Sequence, residues 1–374
     1  MTSRFEEALS DYKSSSLVYE AIDDKRGMAE VYANMAEIDV MFGEFKNADP
    51  LFEKVLNLCD ETGHHHLKLY ASINYANNLS FLGYLEKSEN ILNGVIETSK
   101  KKNIPDFIAL AGNILAKVKG LSADLTNESE ILRKSLKVAQ EIKSPEIENS
   151  IKSTLVKTYI EMNLLDEAES IANTVYEFAK STNNEMLMSD VMASMADIYQ
   201  KHNDHERLAE IASLSFELSE KTKSKISFIR NIIVLSRYYL MMSDITSCEG
   251  ILKKGEESAL QTGSIEHIII INRISDALYE KSHNIQMRYN SLMKCINAIE
   301  NYIAKAGEKN FENLILRRGF LNFYSHYINV MIELYDFTFI KEHLKNYNRR
   351  VIEMTLKNML EKNLISQKTY SELI

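Results

Sequence analysis

The sequence predicts an all-α solenoid built from stacked helical hairpins, and three observations lead to that fold class. Proline and glycine are scarce, with 3 and 12 in 374 residues, where average usage gives about 19 and about 26. Apolar residues recur at i, i+3, i+4 and i+7 spacing, which is typical of amphipathic helices. The whole pattern repeats every forty residues over most of the chain, as expected for repeated supersecondary units.

The forty-residue step is clearest at the predicted turns. It starts at Gly43 and continues through Gly83, Ala123, Asn163, Asn203, Ser243 and His283. Most of these residues are small or tolerate left-handed backbone, which suits the end of a helix. Pro105 and Pro145 are also forty residues apart and fall where a new helix can open, because proline is tolerated in a first turn. Each unit is therefore predicted to be a helical hairpin.

Three further registers with the same step predict the core. A small register contains Ala36, Ala76, Ala116, Val156, Ala196, Ser236 and Asp276. A bulky register precedes it at Met35, Tyr75, Leu115, Leu155, Met195 and Leu235. An aliphatic register follows at Leu51, Ile91, Ile131, Ile171, Ile211 and Ile251. Small residues let two helices pack closely, so the hairpins are predicted to stack into a right-handed superhelix with one concave surface.

The repeats divide the chain into three predicted regions. Residues 1–306 contain the helical repeats, with a partial first unit at 1–26, and 307–350 form a divergent, aromatic-rich last hairpin. Residues 351–374 are predicted to be C-terminal capping helices, with a break near Asn363 and an N-cap at Ser366. Such a cap covers the last hairpin; the alternative is that this region mediates homodimerisation or binds a partner.

Composition and charge narrow the class of partner. The net charge of −9 gives no general footprint for nucleic acid or an anionic membrane, so neither partner is expected. Apolar stretches such as His267 to Ile271 are far shorter than the about 18 residues of a membrane span. Cys59, Cys248 and Cys295 lack CxxC spacing, which indicates reduced thiols. We therefore expect a cytoplasmic protein.

Several of these residues resemble a known family. The pairs Met35-Ala36 and Met195-Ala196, with a downstream tyrosine and a small residue such as Ala48 in the second helix, resemble tetratricopeptide repeats. Their forty-residue period exceeds the common 34 and is similar to repeats of bacterial peptide-sensing regulators of the Rap and PlcR kind. The resemblance covers about residues 1–306 and implies a bacterial sensor that binds a peptide or protein. The N-terminal output regions of those regulators are not recognisable, so the chain is also interpreted as the sensor part of a longer protein.

The first helix of each hairpin is predicted to line the concave surface. Asparagine amides can pair with a peptide backbone, and lysine or arginine can bind a carboxylate. The predicted peptide- or partner-binding residues are Asn34, Asn74, Asn77, Asn113, Lys117, Lys157, Arg230, Arg237 and Arg273. The last three form a second basic stretch beside a first stretch from Asn74 to Lys157. The competing interpretation is that these residues form an ordinary solvated helix face.

No motif for catalysis or cofactor binding is present in the sequence. Phosphate-binding loops, dinucleotide fingerprints, HExxH and GxSxG patterns are all missing, so no catalytic residue or cofactor is predicted. Three consecutive histidines at His64–His66 lack the spacing that directs ligands to one ion, so no metal site is predicted. The expected function is a non-enzymatic scaffold or sensor, and the alternative is a structural module that assembles a complex through its convex or terminal faces.

Overall fold

A computed structural model describes residues 2–122, 124–307, 310–311 and 320–374. Within these ranges the chain forms nineteen α-helices and no strand. The helices are α1 (Thr2–Ala21), α2 (Lys25–Phe42), α3 (Phe45–Thr62), α4 (His65–Phe81), α5 (Leu85–Lys102), α6 (Pro105–Leu121), α7 (Leu125–Glu141), α8 (Pro145–Glu161), α9 (Leu165–Ser181), α10 (Glu185–His202), α11 (His205–Lys221), α12 (Lys225–Met241), α13 (Ile245–Thr262), α14 (Ile265–Lys281), α15 (Ile285–Ala306), α16 (Phe320–Leu334), α17 (Phe337–Leu344), α18 (Arg349–Glu361) and α19 (Gln367–Leu373). Each helix from α1 to α16 packs on the next described helix in the chain, which confirms the predicted all-α solenoid.

The turns between helices have the predicted backbone conformation. Positive φ angles occur at Gly43, Gly83, Asn163, Asn203, Ser243 and His283, all of which belong to the predicted turn register. Ala123, the remaining member, lies outside the described residues. Positive φ also recurs halfway between these positions, at Asp23, Gly63, Asn103, Lys143, Asn183 and Gly263. Left-handed residues that end helices therefore recur about every twenty residues, while Pro105 and Pro145 begin α6 and α8.

The small register is buried between the helices. Its members from Ala36 to Ser236 all have no exposed surface, and the exception, Asp276, is paired with Arg288 at 2.8 Å. The predicted aliphatic register is only partly correct, because most of its members are half-buried. The fully buried register lies one residue later, at Phe52, Leu92, Leu132, Ala172, Ala212, Leu252 and Leu292. The apolar stripe of the second helices is thus rotated by one position from the prediction.

The even-numbered helices α2 to α14, which we call the first helices, lie on the inside of the curve. Each first helix contacts the first helix of the next hairpin, whereas consecutive second helices (α3, α5 and their equivalents) make no comparable contact in the described residues. A stack that is tighter along one row of helices bends towards that row. The first helices therefore line the concave surface, as predicted.

The solenoid closes on itself after between four and five hairpins. The Ser224 hydroxyl donates to the Met41 carbonyl at 2.7 Å, across 183 residues, and Lys225 Nζ lies 2.6 Å from Glu44 Oε1. A Cβ added to Gly43 would lie 3.1 Å from Ile226 Cγ1, so the end of α2 sits directly against the start of α12. We call this contact between residues 41–46 and 224–226 the clasp.

The C-terminal helices cover the end of the solenoid. Val351, Leu356 and Met359 of α18 are fully buried in one apolar cluster with residues of α15 and α16. Asn363 has a positive φ, and Ser366 caps α19 by accepting from the Thr369 amide at 3.0 Å. Both features were predicted for the cap, whose first helix begins at Arg349, two residues before the predicted boundary.

Candidate functional site on the inner helices

The inner surface carries a ladder of polar contacts between consecutive first helices. Five of its hydrogen bonds join residues 33 or 37 positions apart, which is one full repeat less one or two helical turns. Others join residues 40 or 41 positions apart. The shorter offset follows from the parallel packing of first helices, because side chains point towards the N-terminal end of their own helix. Polar groups of one first helix therefore meet those of the next between α2 and α4 and from α6 to α12.

Glu37 of α2 is the acceptor at the N-terminal part of this ladder. It accepts hydrogen bonds from Asn74 Nδ2 at 2.9 Å and from the Tyr70 hydroxyl at 3.3 Å. Burial raises the pKa of Glu37, and the two neutral donors offset this only in part. The side chain of Asn74, a predicted binding residue, is therefore already engaged by its neighbour.

Asp190 of α10 is the acceptor in the middle of the ladder. Its Oδ1 lies 2.7 Å from Lys157 Nζ and 3.0 Å from an Arg230 guanidinium nitrogen, and its Oδ2 accepts from the Ser153 hydroxyl at 2.8 Å. Burial would raise the pKa of Asp190, but Arg230, Lys157 and Lys117 hold it well below its usual range. The sequence placed Arg230 in a second basic stretch with Arg237 and Arg273; the structure places it with Lys157 instead.

Two residues of α14 complete this group of charges. His267 is within electrostatic reach of Lys157, Asp190 and Arg230, and Glu266 is within reach of His267 and Lys117. The His267 Nδ1 atom lies 2.8 Å from the Ser264 hydroxyl. Burial lowers the pKa of His267 to about 4, and the nearby cations add to this. We call Lys117, Lys157, Asp190, Arg230, Glu266 and His267 the Asp190 cluster. It joins five consecutive first helices, from α6 to α14.

The nine predicted binding residues differ in how far their side chains are already occupied. Asn113 is 2% exposed and bonds with Ser150 and Thr154 at 2.9 and 2.8 Å. Arg237 is 6% exposed and donates to Asp197 at 2.5 Å, so both residues support the wall itself.

Three of the nine keep unused hydrogen-bonding groups. The side chains of Asn34, Asn77 and Lys117 are half-buried and have no hydrogen-bond partner among the described residues. They lie on three consecutive first helices, α2, α4 and α6. Arg273 of α14 is exposed and contributes to lowering the pKa of Asp197. The predicted residues thus separate into wall-forming side chains and side chains with unused groups.

Sequence reasoning missed Glu266 and His267. The histidine begins an apolar stretch, and its register is otherwise occupied by Gly27, Leu67, Phe107, Ile147, Leu187 and Ser227. Nothing in that register signals a role in a polar cluster. The available signal was the pair Asp190 and Arg230, which are opposite charges in one register of successive hairpins.

Other chemistry has little support in the described part of the chain. No group of three potential metal ligands occurs there, and none of its helices is long and apolar enough to cross a bilayer. The three cysteines are unpaired and buried, and burial raises the pKa of both Cys248 and Cys295 to about 12. Thiols of this kind are poor nucleophiles. Compared with known proteins, the chain matches no family model and no curated sequence.

Proposed function

We propose that this chain is a non-enzymatic binding protein that holds an extended peptide or protein segment along its inner surface. The observation that carries the proposal is the row of unused polar groups at Asn34, Asn77 and Lys117 on three consecutive first helices. Helices in contact are about 8–10 Å apart, so the row spans about 20 Å. An extended chain rises about 3.3 Å per residue, and about six residues would cover it.

The groups in this row suit a peptide backbone and its charges. An asparagine amide offers a donor and an acceptor, which match a peptide C=O and N–H, and a lysine offers three donors to a carboxylate. Their partial burial strengthens each hydrogen bond relative to one made in water. The remaining inner polar groups at Glu37, Asn113 and Asp190 are used between helices, which holds the row in place before a ligand arrives.

The resemblance to tetratricopeptide repeats gives this binding a biological setting. The forty-residue hairpins are similar to those of bacterial Rap- and PlcR-type regulators, which sense peptides. By that resemblance, the chain is an intracellular bacterial signalling or transcription-regulating protein, or the sensor region of a longer regulator. Peptide binding would then be the input that changes its output.

The clasp offers a route from binding to a signal. A ligand that bridges several first helices favours the superhelical pitch in which those helices are best spaced. A change in pitch must either tighten or open the contacts of Ser224 with Met41 and of Lys225 with Glu44. Binding of a ligand to the inner surface would thereby change the contacts of the clasp.

A binding assay with paired variants tests the proposal. The groove variant combines Asn77→Ala with Lys117→Ala, and the control combines Asn57→Ala with Lys137→Ala on the exposed faces of α3 and α7. Against a random heptapeptide library, we expect the groove variant to lose at least about tenfold in capture, which corresponds to two hydrogen bonds of about 1 kcal/mol each. The control should match the wild type. Equal capture by both variants would remove the inner surface from consideration.

A second candidate function is structural assembly through the N-terminal face. Leu17 and Val18 of α1 and Ile22, which directly follows it, are 67%, 60% and 65% exposed, and such a group of apolar side chains is typical of an interface. Sedimentation velocity of the wild type and of Leu17→Glu with Val18→Glu tests this. A larger species that disappears in the variant supports assembly, and a monomer in both contradicts it.

A further inference from the structure

The Asp190 cluster holds more positive than negative charge. Lys117, Lys157 and Arg230 are cations; of the two anions, Asp190 interacts with all three and Glu266 with Lys117. With His267 neutral, one positive charge is left uncompensated inside a chain whose net charge is −9. An uncompensated charge in a partly desolvated site attracts an ion of opposite sign more strongly than an exposed one does.

Lys117 is the cation that the cluster leaves without a direct partner. Asp190 already accepts hydrogen bonds from Lys157 and Ser153 and forms an ion pair with Arg230, so both of its oxygens have partners. Lys117 is half-buried, and its ammonium forms no hydrogen bond or ion pair with a described residue. Desolvation lowers the pKa of Lys117 to about 8, which leaves it charged at pH 7 and still in need of an acceptor.

The neighbouring cations keep donors that could converge on the same acceptor. A guanidinium has five N–H donors and an ammonium has three, and the contact with Asp190 uses only part of this capacity on Arg230 and Lys157. Lys157 is 47% exposed, so the cluster is open to a ligand on the inner surface. Three cations from α6, α8 and α12 thus lie within electrostatic reach of one another on the inner surface.

We propose that the Asp190 cluster is an anion subsite in which Lys117, assisted by Lys157 and Arg230, binds a carboxylate of the peptide held on the inner surface. This inference rests on the proposed function and names its ligand class as acidic peptides. A single carboxylate neutralises the one excess charge, whereas a phosphate carries about −1.5 to −2 at neutral pH and would leave the site negative. The carboxylate belongs either to an Asp or Glu side chain or to a peptide C-terminus.

The experiment measures charge preference with defined peptide pools. The full-length chain is offered random heptapeptides that are acetylated and amidated, so that side chains carry the only negative charges, and a second pool with free C-terminal carboxylates. In the first pool, the readout is the enrichment of captured peptides with Asp over those with Asn, and with Glu over those with Gln. Between the pools, it is the enrichment of captured peptides with free C-termini over those with amidated C-termini. The variants are Lys117→Met, Lys117→Arg and, as a matched control on α7, Lys137→Met, whose side chain is 79% exposed.

We expect about tenfold enrichment of one carboxylate source by the wild type and by Lys137→Met, since a charge-assisted hydrogen bond is worth about 1.5–3 kcal/mol. Lys117→Met should capture acidic and neutral peptides equally. As the pH rises from 7 to 10 the preference should fall for the wild type, because Lys117 loses its charge, and persist in Lys117→Arg. Peptide capture by the wild type without acidic preference overturns the subsite and leaves the proposed function standing. No capture from either pool overturns both.

Discussion

Glu37 and Asp190 are two carboxylates of the same polar ladder whose pKa values shift in opposite directions. Glu37 accepts from the following first helix, and Asp190 accepts from the preceding one and pairs with the following one. Both lie on the inner side of a first helix, and each accepts from side chains 33 and 37 residues away. The partners of Glu37 are the neutral groups of Tyr70 and Asn74, so burial dominates and raises its pKa. Asp190 has Lys157 and Arg230 instead, and its pKa falls. The same repeat geometry therefore gives a contact between Glu37 and neutral donors at one end of the solenoid and an ion cluster around Asp190 in the middle.

The difference shows what the repeat fixes and what it leaves variable. The spacing between first helices sets which positions meet, and it is the same for both carboxylates. The residue types at those positions decide whether the contact is a support or a charged site. A solenoid can thus acquire a local site by exchanging a few side chains without altering its packing.

Replacing each carboxylate by its amide gives the largest contrast. Asp190→Asn leaves Lys157, Arg230 and Lys117 without their counter-charge, and we expect the free energy of unfolding to fall by about 3 kcal/mol. Glu37→Gln keeps its neutral donors and loses a poorly solvated charge, so we expect no loss or a small gain at pH 7. Urea denaturation monitored by circular dichroism measures both. Equal losses in the two variants would contradict the assignment of different roles.

The stability contributed by the Asp190 cluster and that contributed by the region around Glu37 should change with pH in opposite directions. In the Asp190 cluster the responsible group is His267. Its pKa is lowered from 6.5 to about 4 by burial and by Arg230 and Lys157, against the opposing effect of Glu266 and Asp190. The unfolded chain therefore takes up the proton first as the pH falls. We expect the wild type to lose about 2 kcal/mol of stability between pH 7 and pH 5 through this group, and His267→Gln to lose correspondingly less. Parallel pH profiles of the two proteins would refute this.

The opposite slope is expected at Asp39 of α2, near Glu37. Burial and the charge of Glu44 raise the pKa of Asp39 from 3.8 to about 6, although Lys13 lowers it. The folded chain holds this proton longer than the unfolded chain, so stability is lost as the pH rises through about 4 to 6. We expect Asp39→Asn to stabilise the protein by about 1 kcal/mol at pH 7, reduced by solvent screening, and to have little effect at pH 3.5. A gain at both pH values would point to a cause other than ionisation.

The sequence predicted the features that depend on contacts within one hairpin or between neighbours. Ala36, Ala76 and Ala116 are buried as predicted because a small residue at a helix crossing has a local cause. The left-handed turns at Gly43 and Asn163 follow from residue type. The apolar stripe of the second helices was placed one residue too early, since Leu92 rather than Ile91 is fully buried, and a shift of one position needs the actual helix rotation.

The candidate site was predicted only in part, because it depends on distances that accumulate over many repeats. Lys117 and Lys157 were assigned to one stretch, and their common relation to Asp190 agrees with that grouping. Arg230 and His267 join them because the first helices curve around a common interior, and small rotations between hairpins add up to that curvature. The sum of those rotations cannot be predicted from any local sequence pattern. Peptide binding itself stays a prediction.

The smallest expected effect concerns the clasp, which connects the two regions by holding the end of α2 against the start of α12. Gly43 and Gly63 both end a helix with positive φ, so an alanine at either position is strained in the backbone. Only at Gly43 would the new Cβ also press on Ile226 Cγ1 and Thr262 Cγ2, at 3.1 and 3.0 Å, since nothing lies within 4 Å of the Cβ position at Gly63. We expect Gly43→Ala to be less stable than Gly63→Ala by about 0.5 kcal/mol, the low end of the cost of moving a side chain off its rotamer. Amide hydrogen exchange of residues 222–228 should accelerate in Gly43→Ala and not in Gly63→Ala, although Ile226 is 183 residues away from Gly43 in the sequence. Equal exchange in the two variants would mean that the clasp does not hold these regions together in solution.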